Sequence, residues 1–251
     1  FTGVDHVDVE YCRERGITVC NCAGYSTVAV ADLVFGMVIS LARNIPQCDA
    51  AIRRGGDKSG LVGFELEGKT LGAIGQRVAA IANAFGCKVL GYNRSEKNVP
   101  GVTQVSLEEL LTQSDIVSLH VPLTAETKGM INKAAIDEMK DGVVLLNYAR
   151  DLLVDEDAVL AALKAGKMKK YVTDFANPKV VGAEGTIVTP HLGASTKESE
   201  DNCAVMAVKE IRDFLENGNI RNSVNFPNCS MGVCTGAGRV TICHKNIPGM
   251  L

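Results

Sequence analysis

One histidine stands where the sequence predicts the end of a buried strand and the start of a helix. His191 follows Pro190, which closes the apolar run at 185–188, and Ser195 with Glu198 has the spacing of a helix capping box. Open α/β sheets place their reacting groups at the carboxyl ends of the strands. Because imidazole titrates near neutral pH, His191 is predicted to take up and return a proton; the competing interpretation is a structural histidine.

A candidate anion clamp follows a second apolar run. Arg150 closes the segment Asn147-Tyr148-Ala149-Arg150, directly after the predicted strand at 142–146. A guanidinium group presents a rigid fork of donors that can hold a carboxylate and polarise a carbonyl oxygen. Arg150 and His191 together therefore predict a proton shuttle beside an anion clamp. The alternative for Arg150 is a surface ion pair.

Alternating strand and helix patterns are expected to position these two residues. From Lys69 onward, short apolar runs alternate with amphipathic segments, which is typical of βαβ units on a parallel sheet. We predict strands at 88–92, 116–120, 143–146, 171–173 and 185–188, and helices that start at 106 or span 133–139, 155–165 and 199–217. The expected fold is α/β, a doubly wound parallel sheet.

The segment Thr27–Ala42 is apolar around nearly its whole circumference. A helix of this kind must be buried on every side. It is either a core helix or a subunit interface, and the sequence interpretation favours the interface.

Composition excludes several classes of partner. The chain has 251 residues, 46% of them hydrophobic, and a formal net charge of -3 with the two signs interspersed. We therefore expect one large domain or two smaller ones, with no nucleic-acid or membrane partner, in the cytoplasm. The nine cysteines show no Cys-x-x-Cys pair, so reduced thiols are expected and no metal site. Because the chain starts at Phe1 rather than Met, a processed or incomplete sequence is expected.

Several segments, in the same order along the chain, resemble the D-2-hydroxyacid dehydrogenase family. They are Gly3–Asp8, Ser26–Asp32, Ser118–Gly129, Asn147–Arg150 and Pro190–Ala194. The resemblance covers nearly the whole chain and is strongest to the branch that oxidises D-3-phosphoglycerate to 3-phosphohydroxypyruvate in serine biosynthesis. It implies an oxidoreductase that transfers hydride to NAD from a small 2-hydroxy acid and assembles as a homodimer or larger homo-oligomer.

The resemblance also implies a domain organisation. Residues 25–190 would form a Rossmann-like nucleotide-binding domain. Residues 1–24 and 191–226 would be remnants of a discontinuous substrate domain. Residues 227–251 would be a linker and the truncated start of an ACT domain.

Site residues carry over position by position. His191 would be the acid/base and Arg150 the clamp, and Asn177 occupies the place of the family glutamate that pairs with the histidine. The cofactor contacts implied are Gly72, Ala73, Ile74, Gly75, Asn93, Arg94, His120, Val121, Pro122, Thr127, Ala149, Arg150, Asp174, His191 and Gly193. Asp174 would orient the nicotinamide carboxamide.

The dinucleotide loop departs from the family pattern. The segment Lys69–Gln76 is about five residues short of a strand followed by Gly-x-Gly-x-x-Gly. Either Gly72 and Gly75 are the last two glycines and almost no strand remains, or Thr70–Ile74 is the strand and the helix begins without its glycines. Weak binding of dinucleotides is expected in both cases.

The residue that grips the ribose also departs from the pattern. Asn93 replaces an acidic side chain and Arg94 follows it, so NADP is tolerated as well as NAD, unless Arg94 is simply solvated. Two alternatives to the phosphoglycerate activity follow: an NADPH-dependent hydroxypyruvate or glyoxylate reductase, and a degenerate homologue that dimerises without turnover.

Overall fold

The computed structural model describes residues 1–73, 76–93 and 99–240. Within these residues the helices are α1 (Val9–Glu14), α2 (Thr27–Ala42), α3 (Ile45–Arg53), α4 (Gln76–Ala84), α5 (Leu107–Gln113), α6 (Lys133–Glu138), α7 (Glu156–Lys164) and α8 (Lys197–Asn217). The strands are β1 (Thr70–Ala73), β2 (Lys88–Gly91), β3 (Val102–Gln104), β4 (Ile116–Leu119), β5 (Val143–Asn147), β6 (Met168–Thr173) and β7 (Thr186–Val188). The chain divides into two units, one formed by Val28–Gly193 and one by Phe1–Thr27 with the residues from Ala194 onward.

The larger unit contains a single parallel sheet. Its strand order is β3-β2-β1-β4-β5-β6-β7, with every neighbouring pair parallel. The chain therefore runs outward from β1 in both directions, and the crevice expected of this topology lies at the carboxyl ends of β1 and β4. The predicted doubly wound α/β fold is confirmed.

Both faces of the sheet are covered because the central strands are apolar on both sides. In β5, Val143 and Leu145 belong to one apolar cluster, while Val144 and Leu146 belong to another. The first cluster includes residues of α5, α6 and α7, and the second includes residues of α2 and α4. Since successive side chains of a strand point to opposite faces, a run without alternation marks a strand buried on both faces.

One side of α2 lies in the core of its own subunit, the first of the two sequence interpretations, and its role as an interface stays a prediction. Val34, Phe35 and Val38 are buried in the same cluster as Leu71 and Ile116 of the sheet. The buried side of α2 therefore packs on the sheet of its own subunit. An all-apolar pattern requires burial but does not specify what covers the helix.

Helix ends follow local hydrogen-bonding rules. A helix capping box begins α5, at the predicted start: Ser106 and Glu109 each accept from the other's backbone N–H. The box predicted at Ser195 is wrong, because α8 is capped by Thr196, whose hydroxyl accepts from the Ser199 N–H at 3.1 Å. The sequence interpretation missed α3 and β3, both short and largely solvent-facing.

The smaller unit joins the two ends of the described chain. An isolated antiparallel bridge links Cys20 to Ser223. Residues from the expected linker bond to the end of α8: the Cys234 N–H donates to Asn217 Oδ1 at 2.8 Å, and the Met231 N–H donates to Asn219 Oδ1 at 2.8 Å. Most of the segment expected to begin an ACT domain, 241–251, lies outside the described residues.

No single helix in the described part of the chain is both long and apolar enough to cross a membrane. The pair α2 and α3, bent by 57°, meets the length and composition requirement only when the two are taken together.

Candidate active site

One row of register partners crosses six strands near their carboxyl ends. The row consists of Gly91, Ala73, Ser118, Leu146, Val172 and Ile187. The residues two positions later along each strand are Asn93, Gly75, His120, Tyr148, Asp174 and Thr189. Gly75, like Ile74 and Arg94, lies outside the described residues. The register therefore places most of the predicted site along one edge of the sheet.

Asn147, the last residue of β5, shapes the turn that carries Arg150. Its fully buried side-chain amide donates to the Arg150 carbonyl at 2.9 Å, and its Oδ1 accepts from the Ala149 N–H at 3.2 Å. Arg150 Nη1 donates to the Ala149 carbonyl at 2.7 Å. A buried amide that bonds to its own turn fixes the backbone, so Asn147 is a positioning residue that the sequence interpretation did not single out.

His191 adopts an uncommon backbone conformation. Its φ is 57°, in the left-handed region, directly after Pro190. Its side chain is 71% exposed, and its ring centroid lies 5.2 Å from that of Phe175. A non-glycine residue held in this region costs about 1 kcal/mol or more, and such strain is concentrated at functional sites.

Asp174 holds the loop that presents His191. Its carboxylate is buried and accepts from the Thr189 hydroxyl at 2.6 Å, from the Leu192 N–H at 3.0 Å and from the Gly193 N–H at 2.9 Å. Its Oδ2 lies 3.9 Å from His191 Nδ1. Asp174 was expected to orient the nicotinamide carboxamide. The structure adds that Asp174 anchors the histidine loop through residues that precede and follow His191 in the sequence.

The phenol of Tyr148 is a further buried polar group, close enough to Asp174 to sense its charge. Burial and, after it, the charge of Asp174 raise the pKa of Tyr148 well above its usual value. Tyr148 is therefore a neutral phenol at physiological pH. Tyr148 and Thr189 were not predicted as site residues, and the signal that could have found them is their position immediately after predicted strands.

Replacing Asp174 with asparagine should destabilise the chain. An amide cannot accept all three hydrogen bonds, and each lost bond to a buried acceptor costs about 1–3 kcal/mol. Urea unfolding should therefore show that the free energy of unfolding falls by at least about 1 kcal/mol. The control is Asp157→Asn, because that carboxyl is 73% exposed and pairs only with Lys179 at the surface. Equal effects of the two variants would contradict the anchoring role.

Asn177 is engaged away from His191. Its Oδ1 accepts from the Lys179 N–H at 3.1 Å, within a local turn. Among the described residues, the carboxylate that lies within 4 Å of the His191 ring nitrogen is that of Asp174, at 3.9 Å. The structure therefore does not join Asn177 to His191, and a catalytic role for Asn177 stays a prediction.

The loop after β4 is closed by its own side chains. The Thr127 hydroxyl donates to the Pro122 carbonyl at 2.7 Å and accepts from the Thr124 N–H at 2.8 Å. Before the loop, His120 Nε2 lies 2.8 Å from the Ser118 hydroxyl, and burial lowers the pKa of His120 to about 4. At neutral pH His120 is thus an uncharged hydrogen-bonding group, beside partly buried Val121.

The described part of the shortened glycine segment, up to Ala73, forms a strand. Gly72 lies inside β1 and pairs with both β2 and β4. A β-carbon at Gly72 would lie 2.5 Å from Ser114 Oγ and 2.6 Å from Leu110 Cδ2. Gly72 therefore serves close packing of β1 against α5, which is the second of the two alternatives that the sequence left open.

The carboxyl edge still fits a nicotinamide dinucleotide. The first-turn N–H groups of α4, which begins at Gln76, follow shortly after the end of β1, and such groups favour a pyrophosphate. His120 supplies an uncharged hydrogen-bonding group along the same edge, and Asp174 supplies a buried carboxylate. Within the described residues, no group of three or more His, Cys, Asp or Glu side chains is arranged to hold a metal ion.

Comparison with known proteins gives a consistent result. The family model "D-isomer specific 2-hydroxyacid dehydrogenase, NAD binding domain" matches residues 35–193. The chain is 37% identical to D-3-phosphoglycerate dehydrogenase of Haemophilus influenzae over 99% of this chain and 65% of that protein. It is 38% identical to hydroxypyruvate reductase of Thermotoga maritima over 83% of this chain and 74% of that protein.

A solved structure with the same fold is also similar. It is the D-lactate dehydrogenase of Aquifex aeolicus complexed with NAD and lactic acid, with a TM-score of 0.80 and 32% identity over 90% of this chain and 79% of that chain. The chain spans less than two thirds of the length of the Haemophilus influenzae relative. The alignment with that relative runs over 268 positions, more than the 251 residues of this chain, so part of the aligned relative has no counterpart here.

Proposed function

Because the chain belongs to the D-isomer specific 2-hydroxyacid dehydrogenase family, we propose that it oxidises D-3-phosphoglycerate to 3-phosphohydroxypyruvate with NAD, in the biosynthesis of L-serine. The observation that carries the chemistry is the placement of His191 and Arg150 at the carboxyl ends of strands of one sheet. The similarity to D-3-phosphoglycerate dehydrogenase supports the choice of substrate. The same proposal includes a cytoplasmic location, which the free thiols of the described cysteines support.

The reaction removes a hydride from C2 of the substrate and a proton from its hydroxyl. His191 takes the proton, and Arg150 holds the carboxylate and polarises the C2 oxygen. NAD, when bound, accepts the hydride. Asp174 keeps the histidine loop in place through its bonds to Leu192 and Gly193. The described residues that would hold the cofactor are Ala73, Asn93, His120, Val121, Pro122, Thr127, Ala149, Asp174 and Gly193.

Steady-state oxidation of D-3-phosphoglycerate tests this proposal. NADH formation should be faster with D-3-phosphoglycerate than with D-glycerate or D-lactate at equal concentration. A preference for an unphosphorylated acid would overturn the substrate assignment. If neither substrate is turned over and no nicotinamide dinucleotide binds, the alternative of a degenerate dimerising homologue is favoured.

A second candidate function is reduction of hydroxypyruvate or glyoxylate with NADPH. Two observations favour it: Asn93 brings no negative charge to the end of β2, and the similar Thermotoga maritima protein is a hydroxypyruvate reductase. Calorimetric titration with NADH and with NADPH separates the candidates. Tighter binding of NADPH would favour the reductase.

We also propose that the chain forms a homodimer through the outward side of α2. Val28 is 52% exposed, and a β-carbon at Gly36 meets nothing within 4 Å. Gly36→Glu should therefore separate the dimer without unfolding the subunit, because the new charge has room in the monomer. Light scattering measures the mass, and circular dichroism verifies that the helices remain.

Two matched variants sharpen this test. Gly36→Ala should leave the dimer intact. Val34→Glu should unfold or aggregate the subunit, because Val34 is fully buried in its own core and an unpaired buried charge is strongly destabilising. An intact dimer in Gly36→Glu would place the interface elsewhere.

A further inference from the structure

Two thiols meet in the smaller unit, outside the candidate active site. Cys22 is buried in the segment before α2, and Cys203 is partly exposed on α8. Cys22 Sγ donates to the Cys203 carbonyl oxygen at 3.6 Å, so the two residues are in direct contact. The residues are 181 positions apart, so the tertiary fold alone creates this pair.

The surroundings leave the pair reachable from one side. Cys22 and Cys20 line a cavity of about 280 Å³ whose other side is formed by Ala207, Ile211 and Phe214 of α8. Burial, and then the hydrogen bond with Cys203, raises the pKa of the Cys22 thiol. Cys22 is buried whereas Cys203 is partly exposed, so Cys203 is the member that a small reagent meets first.

We propose that Cys22 and Cys203 form a reversible disulfide by exchange with a small-molecule disulfide of the glutathione class. This modification site is independent of the proposed dehydrogenase activity. It ties the amino-terminal segment of the smaller unit to α8.

The exchange is balanced without any further oxidant. The Cys203 thiolate attacks one sulfur of glutathione disulfide, which forms a mixed disulfide and releases one glutathione thiolate. The Cys22 thiol loses its proton and attacks the Cys203 sulfur, which releases the second glutathione. Two protein thiols are oxidised, one small disulfide is reduced, and the two protons leave with the two glutathione molecules.

Selectivity follows from proximity. A mixed disulfide at any cysteine is resolved fastest by a thiol already in contact with it. The long interval between the two cysteines also means that the link would constrain the unfolded chain strongly. The oxidised chain should therefore show a Tm raised by about 5–10 °C over the reduced chain.

The test treats the full chain with excess glutathione disulfide, blocks the remaining thiols by alkylation, and maps peptides by mass spectrometry. The expected product is a peptide pair joined through Cys22 and Cys203, with no glutathione retained on either. Dithiothreitol should return both thiols. Prior unfolding in urea should remove the selectivity, because the pair exists only in the folded chain.

Matched serine variants keep the proposal falsifiable. Cys22→Ser should trap glutathione on Cys203, whereas Cys203→Ser should leave Cys22 unmodified because it is buried. Cys48→Ser, in the larger unit, should still form the link. Stable glutathione on Cys203 of the unaltered chain, or a link from Cys203 to Cys20 instead, would overturn the proposal.

Discussion

Inserting Val-Ile-Gly-Leu-Gly between Gly72 and Ala73 should tighten the binding of NAD by about 100-fold. The insertion lets Val and Ile extend β1 beyond Gly72, and it completes Gly-x-Gly-x-x-Gly with Ala73, Ile74 and Gly75. The pyrophosphate then gains backbone N–H donors in a loop that glycine lets it approach closely. Two charge-assisted hydrogen bonds, at about 1.5 kcal/mol each, account for this factor. Calorimetric titration with NADH measures it.

The matched control is the same insertion with both glycines replaced, Val-Ile-Ala-Leu-Ala. It restores the length of the strand but places methyl groups where the pyrophosphate must approach, so it should bind little better than the unaltered chain. If the unaltered chain already binds NAD with micromolar affinity, the short connection between β1 and α4 is sufficient as it stands, and the expectation of weak binding is wrong.

The order of strands and helices could be predicted because local patterns decide it. The β5 residues 143–146 form an uninterrupted apolar run, which is typical of a strand buried on both faces. Ser106 and Glu109 fix the start of α5 through bonds to nearby backbone. Such signals lie within a few residues of each other and need no knowledge of the tertiary fold.

The environment of α2 could not be predicted in the same way. Val34 and Val38 demand burial, but the sheet of the same subunit and a second subunit satisfy that demand equally. The choice depends on where the chain places β1 and β4 relative to the helix, and this information is distributed along more than seventy residues.

The sequence could predict candidate site residues, but it could not predict the hydrogen bonds that join them. The positions of Arg150 and His191 after apolar strands identified these two residues, whereas Asp174 came from the family resemblance. The bonds from Asp174 to Thr189, Leu192 and Gly193 depend on β6 and β7 being neighbours in register. The sequence assigned the partner of His191 to position 177, whereas the carboxylate nearest its ring comes from the end of the adjacent strand.

Replacing His191 with glutamine should lower kcat by about 10²- to 10⁴-fold, the usual contribution of a positioned acid/base. Glutamine can donate and accept hydrogen bonds but cannot take up the hydroxyl proton. The binding of NAD should be unchanged, because the loop is held by backbone bonds from Leu192 and Gly193 to Asp174 rather than by the imidazole. The measurement is the rate of NADH formation in the variant that carries the Val-Ile-Gly-Leu-Gly insertion. The affinity of that variant for NAD is determined in parallel.

A second substitution separates proton transfer from backbone strain. His191 has a φ of 57°, and asparagine tolerates this conformation better than glutamine. If glutamine acted only by distorting the loop, His191→Asn would recover much of the activity. We expect both variants to be equally slow. A variant that kept most of the rate would show that another group carries the proton.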